Sequence, residues 1–222
     1  MKRNTLRFCV GIVCLLISGM LLKTNRVSLS GNLYDFLQSE LTGTVLQGLA
    51  DEADIPDGTT TIIEMTAHDF YELSGKYAET RSFLVSEYEG KSDAIRAVLN
   101  YINEKLSDEL AAKEALINAG MTAYRILYIM IPATLLMAVV LMLFRQKWGV
   151  IIYMFISLVF SALFVLISAA GSALIREQVY NGLKLRLTPG GYIAPVLIVL
   201  GALLTIGSIR PKGNETNEET VR

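Results

Sequence analysis

The sequence predicts an all-α integral membrane protein: four transmembrane helices, a mainly helical extracytoplasmic domain between helices 1 and 2, and a short β-ribbon between helices 3 and 4. Apolar residues make up 52% of the 222 residues, and charged residues only 18%, below the roughly 25% of soluble domains. Four apolar runs hold this excess, at residues 6–22, 124–144, 148–174 and 192–209. Each is close to the ~20 residues that cross a bilayer as a helix.

These runs divide the chain into four parts. Residues 1–22 form a cytoplasmic N-terminus and the first transmembrane helix, and residues 23–123 form the extracytoplasmic domain. Residues 124–209 form a three-helix membrane region with an outer loop at 175–191. Residues 210–222 form a polar cytoplasmic tail.

The first run follows the basic segment MKRNTLR and therefore has the layout of a secretory signal. No small-x-small cleavage motif follows it, because the next residues are Leu21-Leu22-Lys23-Thr24. We interpret it as an uncleaved signal anchor, with a cleaved signal as the alternative.

Basic residues near the helix ends predict the orientation. Lys2, Arg3 and Arg7 precede the first run, Arg145 and Lys147 lie in the turn between the second and third, and Arg210 and Lys212 follow the fourth. These places fall on one side of the membrane, and basic residues favour the cytoplasm. Both termini are predicted to be cytoplasmic.

The segment before the second run is acidic and mainly helical in pattern. From Lys23 to Gly120, 17 acidic and 8 basic residues give a formal charge of −9. Apolar residues recur at helical spacing in two stretches: Leu33, Phe36, Leu37, Leu41, Val45, Leu46 and Leu49, and then Ile95, Val98, Leu99, Ile102, Leu106 and Leu110.

Turns are predicted at residues 55–58 and 89–92, with Ser92 or Asp93 as a helix cap and Gly120 as a break before the second span. Thr59 to Ile63 is β-branched and ambiguous, whereas Met65 to Tyr88 has a mainly helical pattern.

The two cysteines, Cys9 and Cys14, both lie in the first run, so the extracytoplasmic domain has no disulfide. This absence and the short basic N-terminus suggest a bacterial plasma membrane protein.

The sequence contains no recognisable catalytic motif, and we predict a non-enzyme without a cofactor. Glu64, His68 and Glu72 would share one face if their segment were a continuous helix, and His and carboxylate side chains bind zinc. A solvated acidic face with one histidine is the preferred interpretation. Accordingly, His68 is not expected to be essential to the fold.

The third run has a stripe of small hydroxyl residues: Ser157, Ser161, Ser168 and Ser172. Such faces serve helix packing more often than passage of a substrate. The interiors of the runs contain no charged residue of the kind that marks transport pathways.

Residues 183–187 alternate leucine with a cation, after the turn-forming pair Asn181-Gly182. Leu183, Leu185 and Leu187 would lie on one face of a ribbon, with Lys184 and Arg186 on the other. Docking of the leucines against the acidic domain is one interpretation, and a plain connector is the other.

The function predicted from these features is that of a multi-pass plasma membrane protein acting as a non-catalytic binding, sensing or accessory subunit through its extracytoplasmic domain. The alternative is a small transporter or channel component whose path forms on oligomerisation. Expected partners are the lipid bilayer and another membrane or extracytoplasmic protein, or a second copy; nucleic acid is not expected.

Overall fold

The computed structural model describes residues 3–32, 35–36, 59–80, 93–144 and 146–209. Six helices and three strands are assigned there. In chain order they are α1 (Arg3–Thr24), β1 (Arg26–Asn32), β2 (Thr59–Thr66), α2 (Ala67–Thr80), α3 (Asp93–Ala112), α4 (Glu114–Leu143), α5 (Trp148–Gln178), β3 (Lys184–Leu187) and α6 (Pro189–Ser208).

Four of the described helices are long and apolar enough to cross a membrane: Asn4–Thr24 within α1, and α4, α5 and α6. The prediction of four helices able to span a membrane is confirmed in length and composition. Helix α4 begins at Glu114 rather than at residue 124. Its 30 residues correspond to ~45 Å, so its first turns extend beyond a ~30 Å hydrocarbon layer.

The four long helices form a bundle in which α1 packs against α6, α6 against α5, α5 against α4, and α4 against α1. Large side chains fill its interior. Six of these side chains are at most 2% exposed: Tyr124, Ile131, Tyr153, Phe160, Phe164 and Ile198.

Helices α1 and α6 approach each other through glycine. A β-carbon on Gly11 would lie 2.9 Å from the Thr205 backbone nitrogen and 3.0 Å from the Gly201 carbonyl oxygen. Real β-carbons do not approach backbone atoms this closely, so only glycine fits at position 11. Small residues at such positions allow close backbone packing between membrane helices.

A three-stranded antiparallel sheet lies at one end of the bundle, with strand order β2-β1-β3. Strand β1 pairs with β2 from Arg26↔Thr66 to Asn32↔Thr59, with a register shift between Leu29 and Ser30. On its other side β1 pairs with β3 from Val27↔Leu187 to Ser30↔Lys184.

The sheet and α3 enclose a second apolar core. Leu29, Ile62, Ile63 and Leu183 from the strands and the turn before β3 pack with Leu99, Ile102 and Leu106 of α3 and with Ile175 and Val179 at the end of α5. Phe36 is fully buried there, and its ring centroid lies 5.4 Å from that of Tyr180.

The all-α prediction is incomplete, because the sheet was not expected as a whole. The ambiguous stretch from Thr59 belongs to β2, which continues through Met65 and Thr66 before α2 begins. Strand β1 has apolar residues alternating with serine at Val27-Ser28-Leu29-Ser30, a period-two pattern typical of a strand.

The predicted break at Gly120 is wrong. Helix α4 runs through Gly120, and the interruption lies at Lys113, whose N–H donates to the Leu110 carbonyl at 3.2 Å. Glycine costs only about 1 kcal/mol inside a helix, which the surrounding helical contacts offset. The helical run over 95–110 lies within α3.

Several predictions fall outside the described residues. These are Lys2, the apolar stripe at 33–49 apart from Phe36, the turns at 55–58 and 89–92, the end of the predicted helical stretch at 81–88, the Ser92 cap, Arg145 and the tail at 210–222.

Candidate functional site at the junction of bundle and sheet

Helix α2 connects the sheet to the bundle, and its start is held by reciprocal capping. The Thr66 N–H donates to Asp69 Oδ2 at 2.8 Å, and the Asp69 N–H donates to Thr66 Oγ1 at 3.1 Å. This arrangement satisfies amide groups that have no partner within a helix. The next residue, Ala67, is fully buried and accepts a 2.7 Å hydrogen bond from Tyr124 Oη of α4.

A row of stacked side chains lies where α2 meets the bundle. Tyr71 of α2 stacks on Tyr128 of α4, with ring centroids 4.8 Å apart and planes 24° apart. Lys23 Nζ lies 4.9 Å from the Tyr128 centroid, and Arg125 Cζ lies 5.4 Å from the Tyr71 centroid. We call these four residues, Lys23, Tyr128, Tyr71 and Arg125, the tyrosine row.

Gly75 accommodates the Arg125 end of the row. A β-carbon at Gly75 would lie 3.3 Å from Arg125 Cζ, so the guanidinium rests directly on this turn of α2. The cations lie within the ~6 Å range of favourable interaction with a ring face.

His68 lies beside the tyrosine row. Its Nδ1 is 3.3 Å from Tyr128 Oη, and its Nε2 is 3.8 Å from Glu72 Oε1. The His68 side chain is 59% exposed, so the surrounding protein does not enclose the imidazole.

The predicted helical face of Glu64, His68 and Glu72 does not form. Glu64 lies on β2, where its Oε2 is 3.3 Å from Arg26 Nη1. The strand continues to Thr66, so the spacing of eight residues does not place Glu64 above Glu72. Over the described part of the chain, no cluster of three or more His, Cys, Asp or Glu side chains has the arrangement of a metal site.

The serine stripe of α5 faces the bundle. Ser157, Ser161 and Ser168 are buried, and Ser172 is half-buried. On α1, Ser18 Oγ lies 3.2 Å from Tyr153 Oη, which also donates to the Leu15 carbonyl at 3.2 Å. Three of the four serines of the stripe, Ser157, Ser161 and Ser168, therefore lie in the packed interior.

The ribbon at 183–187 contains β3. Leu183 and Leu187 are buried and Leu185 is half-buried, whereas Lys184 and Arg186 are exposed. Leu183 and Leu185 pack with the second core, and Leu187 packs with the bundle core. The leucine face thus spans both apolar cores.

Sequence reasoning missed the tyrosine row. Lys23 closes the first apolar run, and Arg125 and Tyr128 open the second, which is the combination of cations and aromatics found at membrane interfaces. That signal could have found three of the four residues. Tyr71 carries no such signal, because its place in the row depends on how α2 docks.

Comparison of the chain with protein-family models, with curated proteins and with solved structures gives no match.

Proposed function

We propose that this protein is a non-catalytic binding, sensing or accessory subunit of the plasma membrane, which presents an extracytoplasmic domain to a partner. The observation that carries the proposal is the pairing of β3 with β1. Strand β1 follows the first span, and β3 lies between the last two. The sheet therefore joins the segment after the first span and the segment between the last two spans into one body that is fixed to the bundle. A domain that presents a surface to a partner requires such a fixed position.

The packing of the bundle supports a non-transporting role. Its interior is occupied by four aromatic rings, those of Tyr124, Tyr153, Phe160 and Phe164. Rings of this size fill the space through which a solute would have to pass. The alternative, a transporter or channel component with a path between subunits, would need a path outside this interior.

The proposed orientation places both termini in the cytoplasm and the sheet outside. Single cysteines at positions 218 and 87, in a chain without Cys9 and Cys14, would be labelled with an impermeant maleimide on intact cells. We expect labelling at position 87 and none at 218. The reverse pattern would invert the orientation.

Retention of α1 in the mature protein is part of the proposal. Gly11 packs directly on the α6 backbone near Thr205, and β1 begins at Arg26, two residues after α1 ends. A removed α1 would leave the small-residue face of α6 uncovered. Mass spectrometry of the purified protein tests this, with the intact N-terminal segment as the expected result.

Partner contact is tested by photo-crosslinking from the extramembrane surface. Leu116 is 73% exposed in the part of α4 that extends beyond the apolar layer, and Asn100 on α3 is also exposed. A photoreactive residue at either position should capture a product of defined mass in cells. The same residue at exposed Gln146, at the opposite end of the bundle, is the control and should not give that product.

The identity of the product distinguishes a different protein from a second copy of the chain, and copurification in mild detergent should retain either. Absence of a product from both extramembrane positions, together with solute or ion flux in proteoliposomes, would favour the transport alternative.

Docking of the ribbon is tested by Leu185→Asp. Complete burial of a leucine side chain stabilises a fold by roughly 1.5 to 3 kcal/mol. A charge at this half-buried position should therefore destabilise the sheet. Hydrogen exchange across residues 30–110 should increase, and the crosslinked product should decrease. Lys184→Asp, at an exposed position on the same strand, is the control; equal exchange in both variants would make the ribbon a plain connector.

A further inference from the structure

We propose that the tyrosine row binds the headgroup of anionic phospholipids in preference to that of zwitterionic phospholipids, with Lys23 and Arg125 as the residues that contact the headgroup phosphate. The proposal concerns the leaflet next to the sheet. It is independent of the protein partner proposed above.

The position of the row in the bundle is the first support. Lys23 lies in the last turn of α1, and Tyr128 lies near the start of the long apolar run of α4. Both therefore lie at the level where hydrocarbon gives way to headgroups, the depth at which tyrosine and lysine side chains concentrate. Exposed Trp148 begins α5 at the opposite end of the bundle, as expected for the other interface.

The distribution of charge near the row is the second support. Glu64 pairs with Arg26, Asp69 caps α2, and Glu72 faces His68. Glu64 is therefore ion-paired and Asp69 is hydrogen-bonded, whereas Glu72 lies 3.8 Å from an imidazole nitrogen. Among the residues that the structure describes, neither Lys23 nor Arg125 has a carboxylate within ion-pair distance.

The tyrosine rings orient the two cations and leave their N–H groups available to a ligand. A cation over a ring face is oriented but keeps its N–H donors. Phosphate oxygens accept strong charge-assisted hydrogen bonds from both ammonium and guanidinium groups. Because Tyr71 and Tyr128 stack on each other, one rigid unit fixes both cations at the interface.

The experiment uses a tryptophan inside the row as the probe. The chain has a single tryptophan, Trp148, so Trp148→Phe combined with Tyr71→Trp gives one fluorophore that still stacks on Tyr128. This parent protein is reconstituted in vesicles that contain either dibrominated phosphatidylglycerol or dibrominated phosphatidylcholine at equal mole fraction. Bromine quenches tryptophan only at short range.

We expect phosphatidylglycerol to quench more strongly than phosphatidylcholine. A cation at an anionic surface favours the anionic lipid by roughly fivefold, the equivalent of about 1 kcal/mol, so two cations should give a preference of tenfold or more. Lys23→Gln with Arg125→Gln should reduce the preference to one.

The matched control is Arg7→Gln with Lys147→Gln, which removes the same two kinds of charge at the other end of the bundle and should leave the preference unchanged. Circular dichroism and elution volume identify any variant that fails to fold, and in that case Arg125→Gln alone should still lower the preference severalfold. Equal quenching by both lipids in the parent, or a preference that survives loss of both cations, would overturn the proposal.

A further arm distinguishes the lipid from free phosphate. Inorganic phosphate is titrated into parent protein in phosphatidylcholine vesicles, and no change in emission is expected at millimolar concentration. A saturable change that requires Lys23 and Arg125 would assign the site to free phosphate and overturn the lipid assignment.

Discussion

The two main helix contacts of the bundle are built from opposite kinds of residue. Between α1 and α6, Gly11 and Gly201 bring the backbones together. Between α4 and α5, Tyr124 packs on Phe160 with ring centroids 5.1 Å apart, and Phe164 lies 6.0 Å from Tyr124. The α1–α6 contact is stabilised by the close approach of two backbones. The α4–α5 contact is stabilised by large side chains that fill the space between the helices. Lipid tails are as apolar as the side chains, so both depend on packing rather than on exclusion of water.

The largest expected effect is at the glycine contact. Gly11→Leu places a side chain against the Thr205 and Gly201 backbone, which cannot move as a side-chain end can. Overpacking commonly costs 1–3 kcal/mol and sometimes more, and we expect a loss above about 3 kcal/mol in the free energy of unfolding by SDS titration in mixed micelles. Gly207→Leu is the control, since a β-carbon on Gly207 meets nothing within 4 Å. Similar losses in both variants would refute the close contact.

The aromatic contact should be the next most sensitive. Phe164 is 2% exposed, and Phe164→Ala leaves a cavity between α4 and α5 that should lower the free energy of unfolding by about 3 kcal/mol. Phe155→Ala on the same helix is the control, because Phe155 is 67% exposed and should change stability by less than about 0.5 kcal/mol. If the two substitutions cost the same, the α4–α5 contact is not governed by filled volume.

A polar contact joins the two sides of this comparison. Tyr153 of α5 hydrogen-bonds to Ser18 and to the Leu15 carbonyl of α1. Tyr153→Phe keeps the ring and removes the hydroxyl, so we expect a loss of about 0.6 kcal/mol, the usual value for such bonds between membrane helices. A double-mutant cycle with Ser18→Ala isolates the shared term. Zero coupling in that cycle would mean that the hydroxyls do not interact.

The smallest effect is expected at the edge of the bundle. His68 contacts Tyr128, but its side chain is 59% exposed, and His68→Ala should change the free energy of unfolding by less than about 0.5 kcal/mol. A loss above about 2 kcal/mol, or metal found by elemental analysis of the purified protein, would show that His68 has a structural or ligating role.

Local patterns predicted the membrane helices and the α3 helix, because uninterrupted apolar runs and helical periodicity determine those elements with little help from the rest of the chain. The sheet was largely missed, since its central strand has only seven residues and its partners come from distant segments. Strand pairing over such separations is a property of the whole fold.

The same distinction applies to the candidate site. The alternation of leucine and cation at Leu183 to Leu187 was predicted from the local sequence. The placement of His68 and Glu72 one helical turn apart was also predicted from the local sequence. The tyrosine row joins α1, α2 and α4, so its geometry exists only after these helices pack. Gly11 and Gly201 were not singled out for the same reason: a glycine in an apolar run shows its role only beside its partner.

The strand order also determines at what stage of synthesis the sheet can be completed. Strands β1 and β2 are close in the chain and can form a hairpin early, but β1 is the central strand and its second edge stays open until β3 emerges, over 150 residues later. An unpaired edge is prone to pairing with other chains, and contacts of long sequence separation form slowly. Helix α1 can pack against α6 only after α6 has been synthesised. A chain released by a ribosome that stalls before β3 and α6 would therefore have both an open strand edge and an uncovered glycine face. Such a half-made chain is the form that chaperones and membrane proteases would encounter.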